Sequence, residues 1–177
     1  MDISVAQLIE GWMSLPELLW LAQRAQECNI IVEFGCYHGR STRALADNTN
    51  GIIYAVDPWD GKYYKDDGSN LNIHNDCFEL FERNLKHHIA SGKVIPIKDY
   101  SWAFKCPKQA DLVFIDGDHR YEHVKDDIKH ALKCVAIPGG IISGHDYGRA
   151  DWPGVRKAVD EMFPEIELTD TIWSARL

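Results

Sequence analysis

Five short apolar runs in this chain each meet an acid at their carboxyl end. Ile30–Phe34 carries Glu33 one residue before it turns at Gly35, and Ile52–Val56 stops at Asp57-Pro58-Trp59. Val94–Ile97 is followed by Lys98-Asp99, Leu112–Ile115 by Asp116-Gly117-Asp118-His119, and Ile141–Ser143 by Gly144-His145-Asp146-Tyr147. The runs are continuous rather than alternating, so both faces of each strand require cover. Helical spacing recurs between them, in Phe78, Phe81, Leu85 and Ile89, and in Val124, Ile128, Ala131, Leu132 and Val135. Strands alternating with helices specify an α/β fold with a doubly wound, mostly parallel sheet and helices on both faces. Ligands of such sheets bind beyond the carboxyl ends of the strands. A sheet serving only structure has no need of an acid at every one of those ends.

The remaining elements follow from local signals. Val5, Leu8, Ile9 and Trp12 fall at helical spacing. Ser14-Leu15-Pro16-Glu17 reads as a capping box opening a second helix, continued by Leu18, Leu21, Ala22 and Ala25. A helix over about Arg40–Asp47 follows the first strand, and Pro153-Gly154 opens another that carries Val155, Ala158, Val159 and Met162 on one face. The tail pieces Glu165–Leu168 and Thr171–Ala175 suit an antiparallel pair closing one edge of the sheet. Residues 60–72 are polar and turn-rich, and long loops of this kind often carry function.

The chain of 177 residues suits one domain, 1–177, with N-terminal helices over 1–27 and a core over 28–177. Its formal charge of −8 argues against nucleic-acid or anionic-membrane partners. No run is long and apolar enough to span a bilayer, and the start does not read as a signal peptide. The five cysteines, Cys28, Cys36, Cys77, Cys106 and Cys134, form no C-x-x-C pair. They read as small buried hydrophobes in a reducing cytoplasm, with neither a disulfide framework nor a structural zinc site.

Gly35-x-x-x-Gly39 serves either a bare strand–turn–helix or the close approach of a ligand. Glu33, inside an apolar strand, requires a partner, which a cationic or multiply hydrogen-bonding ligand supplies. Asp57 lies eighteen residues after Gly39, where an acid accepts from two ribose hydroxyls; a cap before Pro58 is the plainer reading. Asp116, Asp118, His119, His145 and Asp146 form a second cluster. Its oxygen and imidazole donors suit a divalent ion such as magnesium, with Asp116, His145 and Asp146 as ligands. Asp118 or His119 serves instead as a metal-free base, and Asp118 also suits the start of the helix near Arg120. Of the aromatics near the strand ends, Tyr37, Trp59, Tyr63, Tyr64, Trp102, Tyr147 and Trp152, the best placed to stack on a cofactor are Trp59 and Trp102. Trp12, Trp20 and Trp173 are assigned to packing.

Four segments together carry a family resemblance. Val32–Thr42 and Ala55–Trp59 look like the first two motifs of class I S-adenosylmethionine-dependent methyltransferases. Phe114–Asp127 and Pro138–Tyr147 resemble the subgroup called methyltransferase family 24, related to macrocin-type sugar O-methyltransferases and more distantly to catechol-type ones. The likeness runs from about residue 28 to the end. It implies a Rossmann-like, seven-stranded sheet with a reversed final strand. It implies that Glu33, Gly35 and Gly39, with Cys36, Tyr37 and Ser41 of the same turn, line the methionine portion of the cofactor. Asp57 would hold the ribose beside Pro58 and Trp59, and Asp99, Ser101 and Trp102 would lie near the adenine. Asp116 would border the cofactor and, with Asp146, bind magnesium as in metal-using relatives. His145 departs from the acid common before Asp146, which tilts any metal toward a softer ion.

The reading that results is O-methylation of a hydroxylated small molecule, a sugar or small aromatic. A metal at Asp116 and Asp146, or a base at His119 or Asp118, removes the proton. The short N-terminal segment implies an open substrate site or one completed by a second copy in a homodimer. Two rivals are another nucleotide-cofactor enzyme on the same scaffold and a cofactor-binding module without chemistry.

Overall fold

A computed structural model of the protein describes residues 1–60, 76–107 and 109–177. Most of the expected loop over 60–72, with Tyr63 and Tyr64, lies outside the described residues. The strands are β1 (Ile30–Phe34), β2 (Ile52–Val56), β3 (Val94–Ile97), β4 (Leu112–Ile115), β5 (Ile141–Gly144), β6 (Glu167–Thr169) and β7 (Ile172–Arg176). The helices are α1 (Leu15–Ala25), α2 (Arg40–Asn48), α3 (Cys77–Ala90), α4 (Tyr121–Cys134) and α5 (Pro153–Met162). The strands make one sheet in the order β3-β2-β1-β4-β5-β7-β6. β1 to β5 are parallel, and β7 runs antiparallel to both β5 and β6. The order turns back between β1 and β4, which opens a crevice beyond their carboxyl ends.

Two apolar layers cover the sheet. Ile31, Ile53, Leu112 and Phe114 pack with α1, α2 and α3, while Val32, Phe34, Val113 and Ile142 pack with α4 and α5. Side chains alternate along a strand, so Glu33 shares the face of Ile31 and meets α2. The capping box forms at Ser14: Glu17 Oε2 accepts from the Ser14 backbone N–H at 2.7 Å.

Three expectations are corrected. The spacing of Val5, Leu8, Ile9 and Trp12 produces only one 3₁₀ turn, Ala6–Leu8. Arg40 explains this, because its guanidinium donates to the carbonyls of Gln7, Ile9 and Met13 and holds the segment against α2 without a helix. Trp12 is 54% exposed, whereas Trp20 and Trp173 are buried as expected. Cys28, Cys36 and Cys77 are buried and free, but Cys106 and Cys134 form a disulfide across 28 residues of sequence.

Candidate active site

The first turn beyond β1 is dictated by close packing. Gly35 has φ 85°, and a Cβ there would lie 2.2 Å from the Asp116 carbonyl oxygen. Gly39, also at φ 85°, starts α2, and its Cβ would meet Leu85 at 2.4 Å. Both glycines are therefore required by the fold before any ligand is considered.

Asp57 ties this turn together. Its Oδ2 accepts from the backbone N–H of Cys36 at 2.8 Å and of Tyr37 at 3.0 Å, and its Oδ1 accepts from Trp59 N–H at 2.7 Å. Three of the roughly four acceptor positions of a carboxylate are thus filled by backbone. The plainer capping reading of Asp57 is realised, and one acceptor position remains toward the crevice. Cys36 contributes its N–H; its thiol is buried and pushed well above the ordinary range by that burial.

Glu33 is fully buried, and its partners are protein groups. Ser41 Oγ donates to Oε1 at 2.5 Å and Thr42 Oγ1 to Oε2 at 2.6 Å. Burial pushes the carboxyl up to about 7 against those two hydrogen bonds. The hydroxyls of α2 therefore fill the place expected for a cationic ligand.

A cavity of about 320 Å³ opens between β1, β2, the segment after β3 and α4. Its lining includes Gly35, Asp57, Pro58, Ser101, Trp102, Asp118 and Asp127. Glu33, Cys36, Tyr37, Gly39, Ser41, Trp59, Asp99 and Asp116 do not line it. Trp59 is buried against Phe78 and Phe81, its Nε1 donating to the Tyr37 carbonyl at 2.8 Å. Asp99 is exposed and accepts from the next residue's N–H. Trp102 stacks on Tyr100 with ring centroids 5.4 Å apart. Ser101 Oγ donates to Asp127 Oδ1. Burial, reinforced by the charges of Asp118 and Asp126, pushes Asp127 up to about 7.

A polar cluster lies beyond β4 and β5. His145, with a side chain only 3% exposed, sits among three carboxylates. Its Nε2 is 3.2 Å from Glu17 Oε1, and its Nδ1 is 3.4 Å from Asp116 Oδ1 and 3.3 Å from Asp146 Oδ2. Burial alone would lower the imidazolium, but Asp116, Asp146 and Glu17 outweigh it and raise His145 to about 12. Glu17 answers in kind. Burial would raise it, yet His145 and Thr171 hold it down to about 2. Burial also raises Asp116, with His145 opposing.

His119 Nε2 lies 2.9 Å from Asp146 Oδ2, and its ring stacks on Trp152 at 4.4 Å. Asp118 is committed elsewhere. Its carboxylate takes both Nε and Nη2 of Arg120 and the Arg120 backbone N–H. That arrangement suits the approach to α4 and pairs the carboxylate with Arg120.

One donor atom each from Asp116, His119 and Asp146 lies within 4.8 Å of the others, the number and spacing of a metal site. In the structure each of these donors faces a protein partner. His145 Nδ1 lies against both carboxylates, and His119 Nε2 faces Asp146. The His145 imidazolium offsets part of the charge of the three carboxylates around it.

Glu17 and Asp127 are the two site residues that motif reading passed over. Asp127 falls on the apolar stripe of Val124, Ile128 and Ala131, and Glu17 adjoins that of Leu18 and Leu21. An acid on a buried stripe was the available signal.

The family model described as "Methyltransferase domain" matches residues 32–147, the span that contains the turn, the cavity wall and both strand ends of the polar cluster. The chain belongs to that methyltransferase family. The strand order, with its reversed last strand, is that of the class I methyltransferase fold. This methyltransferase is 28% identical over 142 residues to uncharacterized protein R132 of Acanthamoeba polyphaga mimivirus, covering 77% of this chain and 60% of that one. Its fold is similar to an O-methyltransferase from Bacillus cereus solved in complex with SAH, with TM-score 0.67, 15% identity, and coverage of 99% and 87%. An SAM-dependent O-methyltransferase from Thermotoga maritima gives TM-score 0.67 at 15% identity, with 93% of this methyltransferase spanning 58% of that chain. No described helix is long and apolar enough to cross a membrane.

Proposed function

We propose that this methyltransferase methylates a hydroxyl oxygen of a small molecule, with His119 as the base and without a metal. The observation that carries the reading is the 2.9 Å contact between His119 Nε2 and Asp146 Oδ2 beside the cofactor crevice. A neutral imidazole donating from Nε2 to a carboxylate carries its basic lone pair on Nδ1. Asp146 fixes that tautomer, and Trp152 holds the ring plane. Gly35, Asp57 and Trp102 would hold S-adenosylmethionine, which would supply an electrophilic sulfonium methyl for the hydroxyl oxygen. The chain's work is to hold the hydroxyl in line and receive its proton at His119.

The cavity fits the adenosyl part of that cofactor. Its volume is in the range of small-molecule sites, its wall carries Trp102 for stacking, and Asp127 and Asp57 offer carboxylate acceptors. The O-methyltransferases of similar fold support an oxygen acceptor. A structural neighbour described as N-methyltransferase NodS from Bradyrhizobium japonicum shows that the same fold also accompanies nitrogen acceptors. The −8 charge favours a small molecule over nucleic acid.

The test is calorimetric titration with S-adenosylhomocysteine and with NAD, followed by a methyl-transfer screen over hydroxylated sugars and catechols with and without EDTA. Binding of S-adenosylhomocysteine, and turnover that survives EDTA but not His119→Ala, is the expected result. Binding of NAD alone, or activity abolished by EDTA and restored by magnesium, overturns it.

A further inference from the structure

The segment after β3 forms one wall of the cofactor cavity and is joined to α4 three times. Ser101 Oγ donates to Asp127, His130 Nε2 lies 3.0 Å from the Phe104 carbonyl, and Cys106 is bonded to Cys134. Asp127, His130 and Cys134 lie one turn apart along a single stripe of α4, so the joints follow each other in register. Three cavity-lining residues, Tyr100, Ser101 and Trp102, sit on the segment so held. We propose that Cys106 and Cys134 are a reversible redox site whose disulfide stiffens this wall and tightens cofactor binding. The inference concerns the wall itself, and its effect on affinity rests on the reading of the cavity as the S-adenosylmethionine site.

The two sulfurs are placed for unequal roles. Cys134 is fully buried, whereas Cys106 is partly exposed. A carbonyl oxygen only accepts, so the short contact to Phe104 places a proton on His130 Nε2. That N–H also lies 3.5 Å from Cys106 Sγ. Cys106 is therefore the sulfur that meets an outside partner. As thiolate it attacks oxidised glutathione, forming a mixed disulfide and releasing one glutathione. Cys134, as thiolate, then attacks Cys106 Sγ and releases the second. Two protein thiols and one glutathione disulfide become one protein disulfide and two glutathiones, with electrons balanced.

Cys106, His130 and Cys134 also bring three donor atoms within 4.8 Å, the makings of a zinc site. The nitrogen that faces Cys106, Nε2, carries the proton held by Phe104 and does not ligate while that contact stands.

The experiment equilibrates the full chain in glutathione buffers of graded poise. Thiols are counted, the linked peptides are mapped by mass spectrometry, amide exchange is followed over residues 100–106 without ligand, and S-adenosylhomocysteine affinity is measured. Oxidation should remove two of five thiols. It should slow exchange over 100–106 and tighten binding roughly three- to tenfold through preorganisation. Cys106→Ser should keep the reduced-state values at every poise. Failure of the pair to oxidise, equal exchange and affinity in both states, or stoichiometric zinc or cobalt bound through thiolate by the reduced chain overturns the proposal. If neither state binds S-adenosylhomocysteine, the reading of the cavity fails, and the exchange difference alone still decides the redox site.

Discussion

Asp146 stands in the left-handed region at φ 63° and from there places Oδ2 2.9 Å from His119 Nε2. An L-residue held there costs on the order of 1 kcal/mol. The polar cluster around it fixes the position, since Asp146 also faces His145 Nδ1 at 3.3 Å.

Asp146→Asn keeps the shape and tolerates the left-handed backbone, but removes the charge beside His119, the base proposed above. Its kcat should fall by about 10²–10⁴, the range of general-base contributions, while S-adenosylhomocysteine affinity stays unchanged. Steady-state kinetics beside calorimetry checks this. A matched loss of affinity would assign Asp146 to cofactor binding.

The pair of Glu17 and His145 sets a pH window for stability. Glu17 is lowered from 4.5 to about 2, so its contribution is complete above pH 4.5 and is lost as pH falls toward 2. His145 is raised from 6.5 to about 12, so its contribution is complete below pH 6.5 and is lost as pH rises toward 12. Glu17→Gln should therefore destabilise most near pH 5–6, by roughly 3 kcal/mol for a broken buried pair. Denaturant unfolding across pH reads the window. A constant penalty at all pH values would refute it.

Glu33 acts in the opposite sense. Its pKa is raised from 4.5 to about 7, so the folded state loses stability as pH climbs between those values. The shift corresponds to roughly 3 kcal/mol at most. Glu33→Gln, still bonded to the Ser41 and Thr42 hydroxyls, should flatten this part of the pH–stability curve and gain on the parent at pH 8. An unchanged slope would count against the buried acid as its source.

Gly35→Ala should cost more than about 2 kcal/mol, since the new Cβ is driven into the Asp116 carbonyl at a φ that favours glycine. Cofactor binding should weaken together with Tm. Retained Tm with lost binding would show that the glycine serves ligand clearance alone.

The sheet was legible because its strands are apolar runs with abrupt ends. β1, β2 and β3 begin and end at the residues that the runs predict. The N-terminal segment misled because helical spacing also describes an irregular chain pinned by one arginine, and Arg40 is distant in sequence. The acids at the strand ends were visible, but their partners were not. Glu33 meets α2 because of strand alternation, and Asp57 spends three acceptor positions on backbone, a geometry that no spacing encodes. Asp118 and His119 are neighbours in sequence, yet only contacts show that one is paired with Arg120 and the other with Asp146. The Cys106–Cys134 pairing across 28 residues carried no local signal.

Glu17 comes from the first helix, and Thr171, which donates to it through both N–H and Oγ1, comes from the final hairpin. Both lie outside residues 32–147, the span matched by the family. A truncation to that span would preserve the acids of the first five strands and strip His145 of its deepest carboxylate. The working unit of this fold is therefore wider than its recognisable motif block, and dissection at the motif boundaries would cut through the charge balance on which the His119–Asp146 pair stands.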